Sequence, residues 1–339
     1  MKTLLLRADS ENLKLAAKAL CEGEVVGMPT ETVYGLGANA ENGKAVEKIF
    51  KAKGRPQDNP LICHISSMEM LNSVVASIPP DALTLAKAFW PGPLTMIMPK
   101  GNQISSVTCA GLDSVGVRMP SHPVALALIE QCGFALAAPS ANTSGKPSPT
   151  SALDVFEDME GKIPYIIDGG ICDKGVESTV LSLLDDTPLL LRPGFITAED
   201  IEGVLNRKIA ISKGIVTELK NDEPVRSPGM KYKHYAPNAD IFILDGDLGS
   251  FANYVKENSD EYTYALCFDG EENSIPCKCL SYGDKEDKKS QAKKLFSALR
   301  QLDKLGAKKV FARCPDKDGV SLAVYNRLLR AAGFKIISL

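Results

Sequence analysis

Residues 29–40 read PTETVYGLGANA, and residues 51–61 read KAKGRPQDNPL after a short helical segment. The first stretch is a hydroxyl-rich, glycine-punctuated loop delivered by a strand-like run at 24–28. In the second, Lys51, Lys53 and Arg55 alternate along the chain, and Pro56 and Pro60 restrict the backbone around them. Cations clustered on a stiff loop suit an anionic ligand, and threonine hydroxyls suit a polar small molecule. The same lysines also fit the end of a helix, where exposed cations complement the C-terminal dipole. These residues alone leave both readings open.

Outward from this stretch, strand and helix patterns alternate. Strands are expected at 3–8, 24–28, 61–65, 94–98, 115–119, 134–138, 163–167, 178–184 and 188–192. Helices are expected at 10–21 behind a Ser10 cap, at 43–53 ended by Gly54, and behind a Ser66/Glu69 capping box. Further helical patterns fall at 81–90, 122–132, 151–158 and 197–205. Residues 206–239 are polar apart from an apolar patch at 209–215, a long linker by ordinary loop standards. From Asp240 the alternation resumes, with strands at 240–244, 262–268, 308–313 and 334–338 and helices at 247–258, 286–305 and 320–331. That pattern predicts a small parallel sheet covered by helices. It carries no G-x-G-x-x-G, so its fold alone does not license a dinucleotide site.

At 339 residues the chain suggests two domains, and a formal net charge of -3 argues against coating nucleic acid through bulk charge. No apolar run approaches the roughly 18–20 residues needed to span a bilayer, so no membrane partner is expected. The N-terminal MKTLLLRADS has too short an apolar core for a signal peptide and reads as a first strand. Nine scattered cysteines fit reduced thiols in a cytoplasmic chain. Cys277 and Cys279 come nearest to a metal pair, and nothing beside them in sequence completes a set. No Walker loop, nucleophile elbow or histidine–acid cluster is present, so a metal is expected to arrive with phosphates and not on protein side chains.

The strand-end loops carry Thr30 and Thr32, then Lys53, Arg55 and Asn59, then His64, then Ser114 and Arg118. Further along they carry Ser140, Asn142 and Ser148, then Ser178 and Thr179, and finally Arg192. In α/β sheets this edge is the ordinary ligand crevice. His64 alternates with Ile62 and Ile65 and fits a core histidine as well as a ligand. Arg118, between Val117 and Met119, needs a partner, and a substrate carboxylate or a buried acid would serve equally. Arg192 carries the same ambiguity, and Ser140, Asn142 and Ser148 also suit ordinary turns.

The order of motifs narrows these alternatives. PTETVYGLG, KGRPQDNPL, WPGPLT, VGVRMPSHP, APSANTSGKPSPT, ESTVLSL and LRPG together resemble a YrdC-type domain. With SPGMKYKHYAP and the α/β tail behind them, nearly the whole chain resembles the long form of the threonylcarbamoyl-AMP synthase family. The resemblance implies an α/β fold with a twisted mixed-sheet catalytic domain at 1–205 and a linker at 206–239. A small Rossmann-like domain would follow at 240–339.

The activity it implies joins L-threonine, bicarbonate or carbon dioxide, and ATP, giving threonylcarbamoyl-adenylate and pyrophosphate. A separate transferase complex would then use the adenylate on tRNA at position 37. Thr32, His64, Arg118, Ser178 and the backbone of Ala138 would hold threonine. Arg55, Asn59, Ser114, Ser140, Asn142, Ser148, Arg192 and Tyr235 would hold ATP. Lys53, Arg55 and Arg192 would stabilise charge growing on the phosphates, with Mg²⁺ carried by ATP. Residues 225–237 would fold over the mouth as a lid. Two other classes stay open: a YrdC-type double-stranded RNA-binding module with weak RNA affinity, and a carbamoyl-transfer maturation enzyme.

Overall fold

The computed structural model describes residues 1–217 and 235–339. The chain opens with β1 (Leu4–Arg7), α1 (Ser10–Cys21), β2 (Val26–Met28), β3 (Gly35–Asn39), α2 (Gly43–Lys53) and β4 (Ile62–His64). There follow α3 (Met68–Val74), α4 (Pro80–Phe89), β5 (Leu94–Pro99), β6 (Ser114–Arg118), α5 (Pro123–Cys132) and β7 (Leu136–Ala137). Then come α6 (Ala152–Met159), β8 (Tyr165–Asp168), β9 (Thr179–Ser182), β10 (Leu189–Arg192), α7 (Ala198–Leu205) and β11 (Ala210–Ile211). These strands form one mixed sheet in the order β1-β8-β2-β3-β7-β4-β6-β5-β9-β10-β11.

Helices cover both faces of this sheet because strand residues alternate sides. Leu13, Ala16 and Leu20 of α1 and Leu128 and Ile129 of α5 share one core with Met28 and Leu136. Val46, Ile49 and Phe50 of α2 share another with Leu61, Cys63 and Leu71. Asn42 caps α2 by accepting the Ala45 amide, and Gly54 ends it at φ 62°, in the left-handed region that glycine enters without steric cost. That turn aims the Arg55 loop at the strand ends.

The second sheet is built from β12 (Asp240–Asp245), α8 (Leu248–Asn258), β13 (Thr263–Cys267), β14 (Lys278–Ser281), α9 (Lys288–Lys304), β15 (Lys309–Arg313), α10 (Gly319–Ala331) and β16 (Ile336–Ser338). Its order is β14-β13-β15-β12-β16, with every neighbour parallel, as the alternation predicted. The two sheets share a core: Val33 and Val176 pack into the cluster formed by Leu295, Phe296, Leu299 and Leu328.

Several local expectations change. Helix α1 is capped by Asp9 and not Ser10, and α3 by Ser67 and not Ser66, each side chain accepting an amide three residues on. The GLGAN segment, expected as loop, is strand β3, its glycines packed flush against Ala138 and Met28. Part of the expected linker is structured: Ala210 and Ile211 pair with β10 at the end of the large sheet. The lid expected at 225–237 lies outside the described residues except for 235–237. Strand β14 was not anticipated, and it brings Cys279 beside β13, which carries Cys267. Among the described residues no group of side chains is arranged to hold a metal ion, and no helix is long and apolar enough to cross a membrane.

Candidate active site

Pro29 ends the run out of β2, and the PTETVYG loop returns into β3, antiparallel to β2. The Thr30 hydroxyl donates to Val33 O at 2.6 Å and lies 2.9 Å from the Thr32 hydroxyl, so the loop is closed by its own threonines. Facing it, β4 and β6 run parallel with His64 opposite Arg118. These elements, with the 138–145 loop, wall a cleft of about 730 Å³ counted with its open mouth.

The cleft brings together Thr32, Lys53, Arg55, His64, Arg118, Ala138, Ser140, Asn142, Ser178, Arg192 and Tyr235. Three expected residues stand elsewhere. Ser114 begins β6, at the other end of the strand from Arg118, and faces a smaller cavity of about 280 Å³ that shares Ile62 with the main cleft. Ser148 is buried behind the wall, its hydroxyl donating to Glu177 Oε1 at 2.6 Å. Asn59 is buried beside Arg55, whose Nη2 donates to its backbone carbonyl at 3.4 Å. Asn59 Oδ1 and Arg55 Nε are buried with no hydrogen-bond partner.

Two anions were missed. Glu31, inside the opening motif, pairs with Arg118 at 2.6 Å, with both side chains buried. Arg118 also donates from Nη1 to the Thr32 hydroxyl at 2.9 Å and from Nε to Gly92 O at 3.2 Å. The partner that Arg118 needed is therefore a buried acid, and the guanidinium reaches the cleft already charge-compensated. Burial would raise the Glu31 pKa, but the charge and hydrogen bonds of Arg118 outweigh it and hold the carboxyl below its ordinary value. The second anion, Glu177, lines the cleft itself and pairs with Arg327 at 3.0 Å. Its neighbours Arg327 and Arg192 likewise overcome burial and keep it ionised.

Lys53 lines the cleft with its ammonium already engaged. Its ammonium donates to the carbonyls of Ser140 and, at 2.6 Å, of Asn142, so it ties down the 140–142 loop and does not present a free cation. Full burial, and then the charge of Arg55, push its pKa well below the lysine value. Ser140 in turn donates to Asn142 Oδ1 at 2.6 Å. Arg55 and Arg192 are lowered by burial to about 10 and so stay charged at neutral pH. Arg192 is held by Ser178, its Nε donating to the carbonyl at 3.0 Å and its Nη2 to the hydroxyl at 3.2 Å.

His64 is lowered to about 3 by burial and then by the Arg118 charge, so it is neutral. Its Nδ1 lies 3.2 Å from Ile62 O, and the Leu136 backbone also bonds the ring. Tyr235 enters at φ 65°, a strained conformation for a non-glycine residue, with its ring 5.1 Å from that of Phe296 in α9.

A mixed sheet whose strand ends converge buried arginines, a neutral histidine and hydroxyls on one cleft forms a site suited to a small anionic molecule. Comparisons with known proteins sharpen this. The Sua5, YciO and YrdC family profile, described as "Telomere recombination", matches residues 18–194, and "Threonylcarbamoyl-AMP synthase, C-terminal domain" matches residues 196–333. A threonylcarbamoyl-AMP synthase of Pyrococcus abyssi is 45% identical, covering 98% of this chain and 97% of its own length. One of Bacillus subtilis is 46% identical, covering 98% and 96%. The crystal structure of the P. abyssi Sua5 complexed with L-threonine superposes with a TM-score of 0.92 at 42% identity, over 99% of this chain and 100% of that one. The chain belongs to the threonylcarbamoyl-AMP synthase family.

Proposed function

We propose that the cleft joins L-threonine, bicarbonate or carbon dioxide, and ATP into threonylcarbamoyl-AMP with release of pyrophosphate, which is nucleotidyl transfer. The observation that carries this reading is the pairing of two unlike halves in one cleft. One half offers Thr32, neutral His64, Arg118, Ser178 and the Ala138 backbone to an amino acid. The other offers buried, charged Arg55 and Arg192, with Ser140, Asn142 and Tyr235, to a triphosphate and its nucleoside. Asn59, Ser148 and Ser114 belong to the second half from behind its wall and from the adjoining cavity. The L-threonine complex of the P. abyssi relative supports the first assignment.

The threonine amine attacks as the free base: on carbon dioxide it forms the N–C bond of the carbamate and releases its proton to water, and on bicarbonate it forms the same bond while a C–O bond breaks and water leaves. The buried cations Arg55 and Arg192 lining the cleft disfavour a further positive charge and so favour the uncharged amine over the ammonium. A carbamate oxygen then displaces pyrophosphate from the α-phosphate, and Arg55 and Arg192 meet the charge that grows on the phosphate oxygens. Holding three reactants in register supplies up to about 7–11 kcal/mol of the barrier in favourable cases. Lys53 acts by fixing the 140–142 loop. Mg²⁺ would come with the triphosphate: Glu177, the one described carboxylate lining the cleft, is already claimed by Arg327 and Ser148.

Both carbamate and adenylate hydrolyse readily, so the product needs direct use by a tRNA-modifying transferase, and nine unpaired cysteines support a cytoplasmic setting. RNA binding gains nothing from the geometry, because the arginines lie inside the cleft and not on an open face. Product identification tests the proposal. With ¹³C-bicarbonate the adenylate should appear one mass unit heavier than with ordinary bicarbonate. An adenylate of unchanged mass would remove the carbamoylation step.

A further inference from the structure

Arginine side chains from the second sheet's helices reach across the junction to residues that back the first sheet's site. Arg327 of α10 is fully buried, and its donors take three acceptors across the junction. Nε donates to Glu177 Oε2 at 3.0 Å, Nη2 to Glu177 O at 3.3 Å and Nη1 to Pro193 O at 2.6 Å. Glu177 precedes Ser178, and Pro193 follows Arg192. The other oxygen of Glu177 holds the Ser148 hydroxyl. Arg300 of α9, also buried, donates at 2.7 Å to Pro147 O and at 2.7 Å to Asp158.

We infer that Arg327 is a positioning residue for the nucleotide half of the site, acting through Glu177. This rests on the reading of the cleft given above. Glu177 is an anion lining a cleft built for phosphates, and Arg327 makes it tolerable there by pairing with it. Arg327 also fixes the backbone on both sides of the Ser178–Arg192 contact. Without the guanidinium, a carboxylate that has lost its ion-pair partner faces the triphosphate, and the Ser148 hydroxyl loses its oriented acceptor. The site is thus completed from the second sheet.

Steady-state kinetics on full-length chains test this. Arg327→Met should raise the KM for ATP by about tenfold or more, the scale of breaking a buried charge pair, while the KM for threonine moves by less than about threefold. Adding Glu177→Gln to Arg327→Met should restore most of the ATP KM, because the uncompensated charge is removed. A merely structural role would lower the melting temperature and leave both KM values alone, or would show no rescue by Glu177→Gln; either result overturns the inference. If Arg327→Met does not fold, Arg327→Lys keeps the charge and loses the fork. It should then show a smaller rise in the ATP KM, and an unchanged value counts against the inference. The parent chain is assayed alongside. Absence of threonine-dependent adenylate from the parent would refute the reading of the cleft, whereas an active parent with an unaltered variant would refute only the role of Arg327.

Discussion

His64 shows how one residue's surroundings decide its chemistry. Buried beside Arg118, it has a folded-state pKa of about 3 against an ordinary value of 6.5. Between those values the unfolded chain binds a proton that the folded chain refuses, so stability falls as pH drops from 6.5 toward 3. His64→Gln should flatten that part of the pH–stability profile in denaturant melts; a profile parallel to the parent's would show that His64 titrates normally. The position of His64 was legible from its place at the end of a strand, but not its state, which needs the Arg118 beside it. Arg118 was legible as a buried cation in want of a partner. That the partner is Glu31 was not, because two residues in different motifs meet only once β4, β6 and the opening loop are assembled. Glu31 stands in the opening motif between Thr30 and Thr32. A charged residue inside an otherwise polar-neutral loop was the available signal.

At the scale of elements, periodicity located most helices and strands, because their apolar faces are buried in the way the spacing requires. It failed where burial is two-sided or the strand is very short. Strand β3 is glycine-rich and buried nearly throughout, and β11 is two residues long. Gly175 marks a feature that no local pattern reports. At φ 76° it lies so close to α9 that an added Cβ would sit 2.5 Å from Ala292 O and from the Lys293 backbone. Gly175→Ala should therefore push α9 off the 174–177 segment, lowering the melting temperature and speeding amide exchange in α9. Unchanged exchange there would mean that the contact carries no weight. The same contact explains why Glu177 and Arg327 meet: α9 and α10 seat directly on the segment that leads into β9.

For the whole molecule, the alternation from Asp240 was enough to predict the parallel second sheet, and the motif order was enough to indicate the class of the first. The join between them was not legible. The apolar residues that make it, Val33 and Val176 with Leu295 and Leu328, belong to separate segments that each look like ordinary core. The charged residues that make it, Arg300 and Arg327, look like solvated helix residues in sequence and are buried in the fold. The central claim is that one cleft couples an amino acid and a one-carbon acid to ATP cleavage at the α-phosphate. Pyrophosphate release by the full-length chain, measured with each substrate omitted in turn, tests it most directly. The account predicts release only when threonine, bicarbonate and ATP are all present. Equal release from ATP without threonine or without bicarbonate would contradict it.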